Sequence, residues 1–278
     1  MHRFRIISIA SLVLITLPVA VQAQTAQVDR MGGSGVFQGN LELSIGAWHE
    51  RGSVLREDVT SLRTDFFISG GSEEGGAYLQ AALSTLFADT ISTDQISNIE
   101  IGGYGNIEIG PFTMVGRLGL VLPVIDPDLN GIAAIYAASR ARPNDLALFI
   151  PDTLTIRPSL SILAEFGMVH VRGDLGFDVG ISTNDEVNSG ERLTYVRLNL
   201  SLGLNLGMAE VLLEFSNIGA IDDAGGVTFA SAADRFQHSL GLLVALELPM
   251  IRPYLGVVLP LDEVGEATFF TLGVNVGY

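Results

Sequence analysis

Beyond residue 23 this chain has no apolar run near the roughly twenty residues that a membrane-crossing helix requires, although 48% of its residues are hydrophobic. The apolar side chains come instead at alternate positions, as in Leu41-Glu42-Leu43-Ser44-Ile45 and Val196-Arg197-Leu198-Asn199-Leu200. A period of two belongs to β-strands, whose successive side chains point to opposite faces. The pattern predicts an all-β protein and leaves little room for helix.

The first residues stand apart from this pattern. Arg3 and Arg5 precede an apolar stretch from Ile6 to Ala20 that ends in the small-residue site Val21-Gln22-Ala23. That is the build of a secretory signal peptide, residues 1–23, removed before Gln24. Residues 24–36, with Gly32-Gly33-Ser34-Gly35, read as a periplasmic N-terminal linker, and 37–278 read as one domain. There is no cysteine, so no disulfide framework, thiol chemistry or thiolate metal site arises. The formal charge is -16, about -18 without Arg3 and Arg5, and no lysine occurs anywhere. Such a balance excludes nucleic acid as a partner; cations and a divalent-bridged lipopolysaccharide surface suit it better.

Alternation read against turn residues places strands near 37–48, 59–69, 76–87, 97–109, 111–123, 154–165, 167–179, 192–206, 208–217, 235–248, 250–259 and 266–278. The number is even, and each strand is long enough to cross a bilayer tilted, as an up-and-down antiparallel transmembrane barrel of twelve strands requires. The connections sort by length in the same way. Joins at Gly110-Pro111, Phe166-Gly167, Gly207 and Pro249 are short, with a longer one around Gly70 to Gly75, whereas 49–58, 88–96, 124–153, 180–191, 218–234 and 260–265 alternate with them and are mostly long. Membrane barrels have short periplasmic turns and longer outer loops. Phe37, Phe112, Phe166 and Tyr278 fall near the turn edge, and Phe87, Phe177, Phe215 and Phe236 near the loop edge, like two aromatic girdles.

The last strand carries Phe270, Leu272, Val274, Val276 and the terminal Tyr278 at alternate positions. This resembles the closing strand of Gram-negative outer-membrane β-barrels, in which an aromatic end of this kind is the signal read by the barrel-assembly machinery. The resemblance implies the outer membrane as location, with its lipid and lipopolysaccharide and that machinery as partners. The segments from Arg117 to Pro123 and from Arg252 to Pro260, each a strand running into Leu-Pro, look like those of transporter-type barrels.

The residues on the opposite face from the lipid-suited ones form a polar, mixed-sign lumen: Glu42, Arg63, Asp65, Glu100, Arg117, Arg157, Arg172, Asp174, Arg197, Glu214 and Arg252. In a water-filled bore such groups tune ion preference; in a narrow one they pair across the interior and close it. Twelve strands lie between barrels filled by side chains and open porins, so size leaves both readings standing. Glu247 and Arg252 flank the Pro249 join, which predicts a cross-strand ion pair. In the longest loop, the helix-compatible run Ile132 to Ala138 precedes Arg140 and Arg142. Folded into the mouth, it constricts the entrance with those arginines, and deletion of 130–145 then raises conductance; the alternative is a helix lying on the rim or against another loop.

Enzymatic chemistry is poorly supplied. The mature chain has His49, His170 and His238. His238 and Ser239 are neighbours and so point to opposite faces, which denies them a direct dyad. His170 lies near Arg172 and Asp174, and His49 near Glu57 and Asp58, without a more specific arrangement. No metal-ligand spacing and no phosphate loop occur, and pairs such as Glu73-Glu74, Asp185-Glu186 and Asp222-Asp223 read as solvated acidic loops. The expectation is a barrel that is not an enzyme and carries no cofactor. It is a passive, porin-like channel for small hydrophilic solutes or ions, cation-preferring through the carboxylate excess of loops and lumen taken together. The alternatives are a closed barrel displaying acidic loops and, third, an outer-membrane hydrolase.

Overall fold

The computed structural model describes residues 37–49, 58–72, 74–89, 92–126, 128–183, 192–221, 236–249, 251–262 and 267–277. The leader, the linker, Glu73, the pairs at 185–186 and 222–223, and Tyr278 lie outside the described residues.

Twelve antiparallel strands close into a barrel. They are β1 (Phe37–His49), β2 (Asp58–Ser72), β3 (Gly75–Ala88), β4 in two pieces (Ser92–Ile96 and Ile99–Ile109), β5 (Phe112–Leu122), β6 (Thr153–Phe166), β7 (Val169–Ser182), β8 (Arg192–Asn205), β9 (Ala209–Ala220), β10 (Phe236–Leu246), β11 (Ile251–Pro260) and β12 (Thr268–Gly277). Each pairs with its sequence neighbours, and β1 closes the ring on β12 from Gln38↔Gly277 to Ala47↔Thr268. Between β5 and β6 stand one helix, α1 (Leu129–Ala141), and a 3-10 segment (Pro143–Phe149).

The outer face is apolar. Leu41, Leu43 and Ile45 of β1, Leu198, Leu200, Leu202 and Leu204 of β8, and Phe270 and Leu272 of β12 are exposed, while the residues between them are buried inside. A continuous apolar surface of this size around a closed sheet belongs in lipid, where closure also leaves no backbone edge unpaired. Phe37, Phe112 and Phe166 are exposed near the turn edge, and Phe87 and Phe177 near the loop edge.

The short joins have the residues their geometry needs. Ile109 pairs with Phe112 and Phe166 with Val169, so each turn has two residues, and each starts with a glycine of positive φ, Gly110 at 61° and Gly167 at 66°. A glycine there suits the primed turns that match the twist of the strands. The structure departs from the expected limits in one place that matters. Residues 92–96, expected in a loop, pair with β3 from Leu83↔Ile96 to Phe87↔Ser92. The strand is then interrupted at Ser97 and Asn98, both fully buried, before resuming against β3 and β5.

Inside the wall, rings repeatedly lie over glycines on the neighbouring strand. Phe269 covers its direct partner Gly46, Tyr254 covers Gly273, and His170 covers Gly203. A Cβ at Gly273 would lie 2.2 Å from Tyr254 Cζ and 2.3 Å from its hydroxyl oxygen. Replacing Gly273 with Val should therefore force the tyrosine off its site and cost about 1–3 kcal/mol, read as an earlier urea midpoint of the barrel in lipid.

Candidate functional site: the bore and its inward-folded segment

The segment between β5 and β6 does not stay at the mouth. Asp128 caps α1 by accepting from the Gly131 amide at 2.7 Å, and the helix turns an alanine ridge to the wall. Ala134, Ala137 and Ala141 pack with Val59, Leu86, Val258 and Phe269, and Ala138 and Ile135 pack with Ala82, Val121, Leu148 and Phe149. Small side chains at three- and four-residue spacing let the helix backbone approach the inner wall closely. Ser84 confirms the closeness, since its hydroxyl donates to the Ala134 carbonyl at 2.7 Å. The 3-10 segment then runs across the bore, and Asn144 Nδ2 donates to Asn199 Oδ1 on β8 at 2.7 Å.

Arg140 and Arg142 were expected to stand at the entrance; both are buried, and Arg142 reaches further into the bore. Arg140 stacks over Tyr136, its Cζ 5.5 Å from the ring centre. Arg142 reaches the middle of β1, with Nη1 3.3 Å from Glu42 Oε1, and its Nε donates to Asp145 Oδ2 at 2.7 Å. The physical reason is the alanine ridge, which draws the helix onto the wall and carries the following turn down into the bore.

The lumen residues named from the sequence all face inward, and none is more than 8% exposed. They form one web with the folded-in segment. Arg63 binds Asp65 in a fork, Nε to Oδ2 at 2.8 Å and Nη2 to Oδ1 at 2.6 Å, while Nη2 also reaches Asp145 Oδ2 at 2.9 Å and Nη1 the Ala138 carbonyl at 3.2 Å. Arg157 pairs with Glu100, with Asp178 at 3.0 Å and with the Asn144 carbonyl at 2.7 Å; Arg197 shares Asp178 at 2.8 Å. Arg172 pairs with Asp174 at 2.6 Å, and Arg117 lies 4.4 Å over the Tyr78 ring. Glu214 is buried on β9 opposite Ser201. These side chains are buried from solvent, so among the described residues they line no open aqueous path.

Among the described buried residues, arginines and carboxylates are equal in number, eight of each. Two of the arginines, Arg140 and Arg142, and one carboxylate, Asp145, belong to the folded-in segment. The wall alone is therefore slightly acidic, and the segment neutralises it.

Arg252 pairs with Glu247, as the sequence predicts, and also with Glu210, which in turn lies 2.8 Å from His170 Nε2. Burial raises the Glu247 carboxyl, in the β10–β11 turn, above the usual glutamate range, with His170 pulling it the other way. At the loop edge His238 Nδ1 meets Asp262 Oδ1 at 2.9 Å on the outer face, while Ser239 is buried inside. The side chain of His49 lies outside the described residues. Among the described residues no group of three or more His, Asp or Glu could hold a metal ion, and no helix is long and apolar enough to cross a membrane.

Sequence reasoning gave Asn98 no role. At the break in β4 its Oδ1 accepts from the Val124 and Ile125 amides at 2.9 and 3.2 Å, its Nδ2 donates to the Ile150 carbonyl at 2.7 Å, and its amide donates to the Leu148 carbonyl at 2.8 Å. One side chain thus clasps both ends of the folded-in segment. Replacing Asn98 with Ala leaves those buried backbone groups without their partner and should cost about 2–3 kcal/mol. Limited proteolysis would show it as faster cleavage within 123–150 while the barrel stays intact.

No protein-family model and no curated protein matches the sequence. Solved structures do match. An outer-membrane channel of Pseudomonas putida F1 is similar over 93% of this chain and 100% of that one, with TM-score 0.60 and 10% identity. The chain has the outer-membrane β-barrel fold. The NanC porin is similar over 86% of this barrel and 100% of its own chain, with TM-score 0.52 and 10% identity.

Proposed function

We propose that this barrel is a porin-like channel of the outer membrane for small hydrophilic solutes, held shut in this state by residues 129–149. The observation that carries the proposal is the nature of the closure. A continuous wall surrounds a separate segment joined to it by ion pairs and hydrogen bonds, contacts that water can replace when the segment withdraws. The likeness to a channel of P. putida supports the same reading. The slightly acidic wall and the net acidity of the chain favour cations over anions. Export by a cleaved signal peptide and insertion by the barrel-assembly machinery complete the proposal.

Planar bilayers test it. Reconstituted protein should give discrete current steps and, in a salt gradient, a reversal potential of cation sign. The dense burial of the lumen favours one rival, a permanently closed barrel that displays its loops. Folded protein that stays silent both intact and without residues 130–145 would establish that rival.

A further inference from the structure

Neighbouring strands of the barrel are consecutive in the chain except at one place, the seam where β1 meets β12. That pairing closes a loop the length of the whole barrel sequence, so its entropic cost is the largest of any pair. On the inner face two rings lie across or beside the seam. Phe269 of β12 covers Gly46 of β1 and packs in one cluster with Val59 of β2. Tyr254 of β11 covers Gly273 of β12 and donates its hydroxyl to Glu42 of β1. Asn40 of β1 reaches back the other way, its Nδ2 donating to Asn275 Oδ1 on β12 at 2.6 Å and to the Tyr254 hydroxyl at 3.0 Å. The folded-in segment lies on both crossings. Ala134, Ala137 and Ala141 of α1 share the Phe269 cluster, and Arg142 Nη1 stands 3.3 Å from the Glu42 carboxylate that accepts from Tyr254.

We propose that residues 129–149 are an internal splint on the β1–β12 seam, so that filling the bore and holding the ring shut are one coupled event. The seat of the alanine ridge is built from Val59 and Leu86, on β2 and β3 to one side of the seam, and from Val258 and Phe269, on β11 and β12 to the other. It is complete only when β1 has met β12, and α1 therefore docks on a barrel that has already closed. The coupling is reciprocal. A docked segment holds the seam paired, and a paired seam holds the segment docked. When the segment withdraws, both rings lose a surface packed against them or their partners, and the β1–β12 ladder, although still formed, opens more often. Strands β6 to β8 contribute no residue to either cluster that holds α1, so they do not share this effect. The splint works alike in a barrel that conducts and in one that stays shut, and so stands apart from the channel reading.

Hydrogen exchange of the folded barrel in lipid, followed by mass spectrometry on peptides from each strand, tests the coupling. In the chain lacking 130–145, the amides of 38–47 and 268–277, which pair across the seam, should exchange at least about tenfold faster than in the intact chain, while those of β7 change less than about twofold. A second variant keeps the whole chain. Ala137 is buried in the ridge, so Ala137→Leu props α1 off the wall and should give the same pattern in weaker form. The opposite direction is read in Phe269→Ala, a change on β12 that should speed exchange within 129–149. Seam rates that stay unchanged in both segment variants, or that rise no more than those of β7, would overturn the splint. If the shortened chain does not fold, Ala137→Leu decides by the same comparison of seam with β7.

Discussion

Deleting residues 130–145 should convert a barrel that gives small, infrequent current steps into one with large, steady ones. The deletion removes all of α1 beyond its first residue, together with Arg142, Asn144 and Asp145, which cross the bore. It leaves every strand in place, and the ring closure between β1 and β12 does not involve the deleted residues. What remains is a twelve-stranded wall lined by arginines and carboxylates, wide enough for water once its filling is gone. The current should be cation-preferring, since the wall keeps one more buried carboxylate than arginine among the described residues. The measurement is single-channel conductance of intact and shortened protein at equal salt, and equal conductance would show that the segment closes nothing.

Replacing Arg63 with Ala should produce the largest loss of stability in the barrel. This fully buried guanidinium joins the wall to the folded-in segment, binding Asp65, Asp145 and the Ala138 carbonyl at once. Its ring neighbour is Phe149, 4.8 Å from Cζ to the ring centre. Truncation takes the fork from Asp65 in a dry interior, while Asp145 keeps Arg142, and a buried pair that loses one partner costs about 3–5 kcal/mol. Arg63→Met fills the volume without the charge and so leaves Asp65 without its fork, whereas Arg63→Met with Asp65→Leu removes the charge on both sides of it. Urea unfolding in lipid should therefore show the double variant recovering part of what the single one loses. A single variant as stable as the parent would mean that the web contributes little.

The strands were legible because lipid outside and polar groups inside enforce alternation at nearly every residue, and the turns because Gly110 and Gly167 stand where two-residue joins need them. The web of Arg63, Arg157, Arg172 and Arg197 was legible as a set of inward side chains, but not as pairs. Pairing depends on register around the whole ring, and a two-residue period records only the face. Asn98 escaped notice because a polar pair, Ser97-Asn98, passes for ordinary alternation; its role appears only when the ends of a distant segment arrive beside it. The depth of Arg142 escaped for a related reason. The alanine spacing in 134–141 is visible in the sequence, yet the wall it fits is assembled from β2, β3, β11 and β12, far apart along the chain.

The chain contains no cysteine, so a single thiol can report directly on the closure. Ser84 is fully buried beneath α1. In Ser84→Cys, a water-soluble maleimide added to the folded barrel in lipid should label the thiol at least about 100-fold more slowly than in the same variant lacking 130–145, a closure of about 2.7 kcal/mol. Equal labelling rates in the two proteins would contradict the claim that this segment fills the bore.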